Sequence, residues 1–259
     1  MFAGLPNVCR MAFARPHRQK RWPPAGQGLL ATPLAEFAVT ALAFAAGLLV
    51  LTAVMPGSGP GPTVASLLFF ALGAAVAGRA LNRNYPHDHL GLCNGITLGR
   101  LALTAALVAP LVAGAAASWA VFAVAVIALS LDGFDGWLAR RQGYVSEFGA
   151  RFDMEVDSVL ALVLATSAAL TSGAGGIAIL LGLPRYLFAV AAWLLPWMRQ
   201  DLPERFSRKA VCVVQLGALI ALQAPILPDA VAMALVPLAA LVLAWSFALD
   251  VAWLRRRRA

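Results

Sequence analysis

The sequence predicts an all-α polytopic membrane bundle of about eight transmembrane helices. Of its 259 residues 61% are hydrophobic and only 12% are charged. Soluble domains run near half and a quarter, so no soluble core has room for this apolar surface. Long runs at 37–78, 101–131 and 158–184 contain no Asp, Glu, Lys or Arg. The runs are apolar all round and lack period-two alternation, which argues against a β-barrel. The same composition excludes disorder, a collagen repeat and a disulfide scaffold. Cys9, Cys93 and Cys212 show neither metal nor redox spacing.

Each span follows from where these runs break. Pro56-Gly57-Ser58-Gly59-Pro60-Gly61-Pro62 is turn chemistry and separates a span near 35–55 from one near 63–82. Both approach the roughly 20 residues that cross the hydrocarbon core. A turn at Gly114 to Ser118 gives spans near 96–114 and 118–139. Ser172-Gly173-Ala174-Gly175-Gly176 divides the next stretch into 149–171 and 175–198. Pro225 and Pro228 separate the last two, near 209–227 and 230–252.

The basic residues orient the bundle. Arg10, Arg15, Arg18, Lys20 and Arg21 precede the first span, Arg79 and Arg83 close the second, and Arg140 and Arg141 close the fourth. Arg199, Arg205, Arg208 and Lys209 lie between the sixth and seventh, and Arg255 to Arg258 follow the eighth. The four opposite loops hold no Lys or Arg, only Asp229. By the positive-inside rule both termini are expected in the cytoplasm. The net charge of +8 therefore reports orientation and contact with anionic membrane lipids, with no nucleic-acid partner. Residues 1–33 and 253–259 read as basic cytosolic tails, and 34–83 as two additional helices. The first tail lacks the roughly 7–15-residue apolar stretch of a cleavable signal peptide. Residues 84–95 read as a cytosolic interfacial linker. His87 and His89 flank Asp88 there, with no further ligand nearby to make a metal site.

The carboxylates concentrate between Asp132 and Asp157. Ionisable groups on membrane helices are costly and default to a functional reading. Asp132 and Asp135 are i,i+3 and share a helix face, which Gly136 and Ala139 continue. Small residues there admit a ligand close to the backbone, and Arg140 is placed to meet a phosphate. After a turn of about eight residues, the next helix aligns Gly149, Asp153 and Asp157 on one face. Two antiparallel helices so joined gather four carboxylates just inside the membrane. Four such groups cannot all stay ionised without cations. Hard oxygen donors select Mg²⁺, Mn²⁺ or Ca²⁺, and a dinuclear site about 3.5–4 Å across clamps a pyrophosphate. Arg151 and Glu155, i,i+4 and turned away, are expected to form a local ion pair. Simple pairing with nearby arginines explains one or two acids, not four acids with two glycines and an arginine at fixed spacing.

These residues resemble the CDP-alcohol phosphotransferase family, whose signature is D-x2-D-G-x2-A-R-x8-G-x3-D-x3-D. Asp132, Asp135, Gly136, Ala139, Arg140, Gly149, Asp153 and Asp157 match it without gap or substitution. Asn94, Thr97 and Arg100 match the Asn-x-x-Thr-x-x-Arg element that often opens the preceding helix. The resemblance implies a six-helix core over 94–252. It implies that Asp132, Asp135 and Asp153 hold two Mg²⁺ or Mn²⁺ ions, with Asp157 joining the second and acting as general base. It implies that Gly136, Arg140, Asn94, Thr97 and, in the variable stretch, Ser146 contact CDP, with Ala139 and Gly149 lining the same site.

The implied enzyme is an integral membrane transferase in phospholipid biosynthesis, in a bacterial inner (plasma) membrane with a cytoplasmic active site. It moves a phosphatidyl group from a CDP-diacylglycerol-type lipid to an alcohol and releases CMP. Arg185, Arg208 and Lys209 are candidate acceptor ligands, and clustered cations lean towards a phosphorylated polyol such as glycerol 3-phosphate. Many family members are dimers, so a second copy is a candidate partner. Two rival readings remain. A membrane prenyltransferase also uses Asp-rich motifs on Mg-pyrophosphate, but does not need Gly136, Ala139, Arg140 and Gly149 at these spacings. A cation-coupled transporter would spread its acids through the bilayer depth, often in a repeated unit. Here they cluster at one face.

Overall fold

The computed structural model describes residues 32–115, 117–199 and 206–256. Most of the expected N-terminal tail and the last three residues lie outside them. The described residues form helices joined by turns, with no strand. Within them the chain divides into two compact units, 32–115 with 123–157, and 117–122 with 158–256.

In the first unit, α1 (Pro33–Val54) begins where Thr32 Oγ1 accepts the Ala35 N–H at 3.2 Å, with Pro33 preset for the first turn. The turn to α2 (Pro60–Asn84) passes through Gly57 at φ +72°, where an added Cβ would lie 2.3 Å from Ala113 Cβ. Left-handed backbone and close approach together require glycine there. After residues 85–90 the chain enters α3 (Gly91–Ala106), continued by α4 (Val108–Val112). The unit is completed by parts of α5 (Trp119–Gln142) and α6 (Glu147–Thr171).

Burial ranks these helices. The α3–α4 span is 67% buried inside the protein, against 17% for α1 and 33% for α2. Thus α3 is the most enclosed of the three, and most of α1 is left uncovered by the other described residues. Phe37, Leu48, Phe70, Leu81, Leu98 and Leu101 are buried where α1, α2 and α3 pack together. Small residues allow the approach: an added Cβ on Gly99 would meet Phe44 at 3.0 Å, and one on Gly73 would meet Leu101 at 3.0 Å.

The second unit departs in detail from the expected spans. The predicted sixth helix, 175–198, is broken. A 3₁₀ segment, Gly175–Leu181, is followed by α7 (Pro184–Leu194) at a bend of 57°. Pro184 supplies no N–H to continue the ladder. Gly182 packs so closely that an added Cβ would lie 2.8 Å from Ala165 Cβ and 3.0 Å from Leu162 Cα. After a second 3₁₀ turn, Pro196–Arg199, the described part of the next helix is α8 (Phe206–Ala221). Tight turns at 222–224 end it where the sequence predicted continuation to 227. The last helix, α9 (Asp229–Arg256), is full length. Among the described residues six helices are long and apolar enough to span, or seven if the bent pair counts as one. The architecture is a polytopic helical membrane bundle.

Candidate active site

Helix α3 presents Asn94, Thr97 and Arg100 at spacings of three, and all three are buried. Arg100 is fully buried, yet it carries a charge that must be met. Its Nε donates to the Ala128 carbonyl on α5 at 3.2 Å. Its Nη2 lies 3.0 Å from Asp132 Oδ1 and also bonds Asp157 Oδ1, while Nη1 bonds Asp153 Oδ1. One guanidinium thus gathers carboxylates from α5 and α6. The three acids keep 32–36% of their side chains exposed, so the cluster has a buried cationic floor and an open acidic face. One oxygen from each of Asp132, Asp153 and Asp157 lies within 4.8 Å of the others. The side chain of Asp135, the fourth predicted ligand, lies outside the described residues.

Beside this cluster, Ser146 caps α6, its Oγ accepting the Gly149 N–H at 3.0 Å. An added Cβ on Gly149 would sit 3.0 Å from Asn94 Oδ1 and 3.1 Å from Ser146 Oγ. The structure therefore brings Asn94, Ser146 and Gly149 together, three residues separated in sequence but joined by the CDP expectation. Asn94 Nδ2 donates to the Leu90 carbonyl at 2.6 Å and to Tyr85 Oη at 3.1 Å. The Tyr85 hydroxyl donates to the carbonyls of Leu90 (2.6 Å) and His89 (2.9 Å). Burial pushes the Tyr85 phenol pKa well up, so this hydroxyl stays a donor. Thr97 Oγ1 donates to the Cys93 carbonyl at 3.1 Å. Gly136 and Ala139 are partly buried, and Arg140 is exposed near the end of α5.

The acceptor candidates belong to the second unit. Arg185 is half-buried in the first turn of α7. Arg208 on α8 makes a two-point ion pair with Asp250 on α9, Nη2 to Oδ1 and Nε to Oδ2, both at 3.1 Å. The Lys209 side chain lies outside the described residues. Gln215 Nε2 donates to the Leu181 carbonyl. On α6, Arg151 pairs with Glu147, one turn earlier, at 2.5 Å.

Arg100 belongs to the site, although its motif alone does not place it among the acids. The available signal was physical: an arginine in a charge-free apolar run must meet an acid. Asp250, only 5% exposed near the end of a membrane helix, carried the same signal.

The donor set fits a divalent cation. All three described ligands offer hard carboxylate oxygens, they converge, and a positive group already draws them together. Fold and site together define a polytopic membrane protein with an aspartate cluster, contributed by two consecutive helices, that could hold a cation. The family model for CDP-alcohol phosphatidyltransferase matches residues 90–250, more than half of the chain, and the chain belongs to that family. No curated protein and no solved structure matches it significantly. Membership makes it an integral membrane enzyme that transfers a phosphatidyl group from a CDP-alcohol.

Proposed function

We propose that this enzyme takes CDP-diacylglycerol as donor and a phosphorylated polyol such as glycerol 3-phosphate as acceptor, releasing CMP in phospholipid synthesis. The observation that carries this reading is the juxtaposition of the Asp132, Asp153 and Asp157 cluster with the Asn94, Ser146 and Gly149 group. One pole suits a metal-bound pyrophosphate and the other the cytidine side of CDP.

Asp132, Asp153 and Asp157, with Asp135, would hold two Mg²⁺ or Mn²⁺ ions. Bound there, the metal supplies charge neutralisation on the pyrophosphate and a stabilised CMP leaving group. Arg100 anchors the three described carboxylates from below and fixes their spacing. Asn94 and Ser146 offer polar atoms to the nucleotide, while Gly149 leaves the space for it. Thr97, Gly136 and Ala139 shape the adjoining surface, and Arg140 meets phosphate charge at the mouth. Asp157 accepts the proton of the acceptor hydroxyl as that oxygen attacks the phosphorus bearing the diacylglycerol. Arg185, Arg208 and Lys209 favour an anionic acceptor. The basic side of the bundle faces the cytoplasm of a bacterial cell, where CDP and the acceptor are soluble.

The test is CMP release by purified protein given CDP-diacylglycerol, Mn²⁺ or Mg²⁺, and a panel of alcohols. Turnover with glycerol 3-phosphate ahead of neutral alcohols supports the reading. No CMP with any acceptor, beside an active control enzyme, overturns it.

A further inference from the structure

The family match begins at residue 90, so α1 and α2 lie outside it. Residues 33–84 contain one acid, Glu36, in the first turn of α1. A lone carboxylate on an apolar membrane helix needs a reason, and the structure supplies one. Glu36 Oε1 accepts from His89 Nδ1 at 2.6 Å, and Glu36 Oε2 accepts the Leu90 N–H at 2.7 Å. Both oxygens of one carboxylate thus grip consecutive residues more than fifty positions away, just before α3 begins. With a carboxylate as acceptor, His89 Nδ1 carries the proton.

The grip continues towards the site. The Leu90 carbonyl, on the residue whose N–H Glu36 holds, accepts from Asn94 Nδ2 at 2.6 Å, and Tyr85 Oη ties Asn94 to the His89 and Leu90 carbonyls. Asn94 Oδ1 then faces Gly149. Aromatic contacts brace the same corner. Phe37, next to Glu36, lies 6.4 Å from Phe152, and Tyr85 lies 5.7 Å from Phe148, both on α6. Charge-assisted hydrogen bonds to a partly buried carboxylate are among the stronger and more directional ones.

We propose that Glu36 is a positioning residue: through His89 and Leu90, it sets the Asn94 amide for the nucleotide end of the donor. This gives the additional helices a role, as the clasp that holds the opening turn of α3. The inference rests on the CDP-binding reading of Asn94.

The test uses full-length protein in lipid nanodiscs, with CDP-diacylglycerol as the probe and Mn²⁺ as the internal control. Glu36→Gln should raise the CDP-diacylglycerol Kd about tenfold, as expected for a lost charge-assisted contact. Mn²⁺ affinity should stay within about twofold, because a different side chain of α3, Arg100, holds the aspartates. Glu36→Asp should recover part of the loss. Hydrogen exchange at the Leu90 amide should accelerate in Glu36→Gln without ligand. If Glu36→Gln does not fold, His89→Ala removes one arm only and should raise the donor Kd about threefold. Unchanged donor affinity in a variant with a loosened Leu90 amide overturns the positioning role, as does an unchanged amide. A wild-type protein that binds no CDP-diacylglycerol overturns the functional reading itself, a separate outcome.

Discussion

Replacing Arg100 tests the architecture of the acidic cluster most directly. Arg100→Met keeps an unbranched apolar chain in a fully buried position and removes the charge together with the guanidinium donors. Three described carboxylates against one guanidinium leave two net negative charges, and the substitution leaves three. Removing one partner of a buried ion pair costs about 3–5 kcal/mol. Here the acids are about one-third exposed and water can reach them, which places the cost near 3 kcal/mol. For a chain of this size that is roughly 6–12 °C in Tm. The same change makes the cluster hungrier for metal, because no guanidinium competes for the oxygens. A divalent ion at a hundred times its Kd returns about 2.7 kcal/mol, nearly the whole loss. The assay is thermal unfolding in nanodiscs with EDTA and then with Mn²⁺. The expected result is a large Tm loss in EDTA for Arg100→Met, most of it recovered by Mn²⁺, and a smaller Mn²⁺ shift in the wild type. A loss below about 2 °C in EDTA, or a Mn²⁺ shift no larger than the wild type's, refutes the reasoning.

Other substitutions separate the remaining roles. Asp157→Asn should lower kcat by about 10²–10⁴ while CDP-diacylglycerol binding stays measurable; full activity removes the base assignment. Gly149→Ala adds a methyl 3.0 Å from Asn94 Oδ1 within a helix, and alanine is the better helix former by about 1 kcal/mol. Tm should hold or rise while the donor KM climbs roughly threefold to tenfold, and an unmoved KM argues against a nucleotide contact at this corner. Asp250→Ala strips Arg208 of its two-point partner and should cost about 3 kcal/mol by thermal unfolding; a neutral result means the pair contributes little to packing α8 on α9. Arg185→Ala should raise the KM for an anionic acceptor and leave the donor KM alone, and equal effects on both would place Arg185 in a structural role.

Local composition and short spacing fix much of this protein before any helix packs on another. Apolar runs with no charge mark helices that lipid must surround, because a charge in hydrocarbon is costly. Asp153 and Asp157 are legible because an i,i+4 spacing places both on one face whatever the helix packs against. What hydropathy does not show is the break inside 175–198, where a 3₁₀ segment and a bent α-helix take the place of one continuous span. Whether a helix bends at Pro184 depends on how closely Gly182 must approach α6. Tertiary structure alone decided the partners. Arg100 meets Asp153 and Asp157 across more than fifty residues, Glu36 meets His89 across 53, and Arg208 meets Asp250 across 42. No local periodicity encodes such pairs. Burying a charge announces that a partner is needed, and only the packing of helix against helix chooses which one.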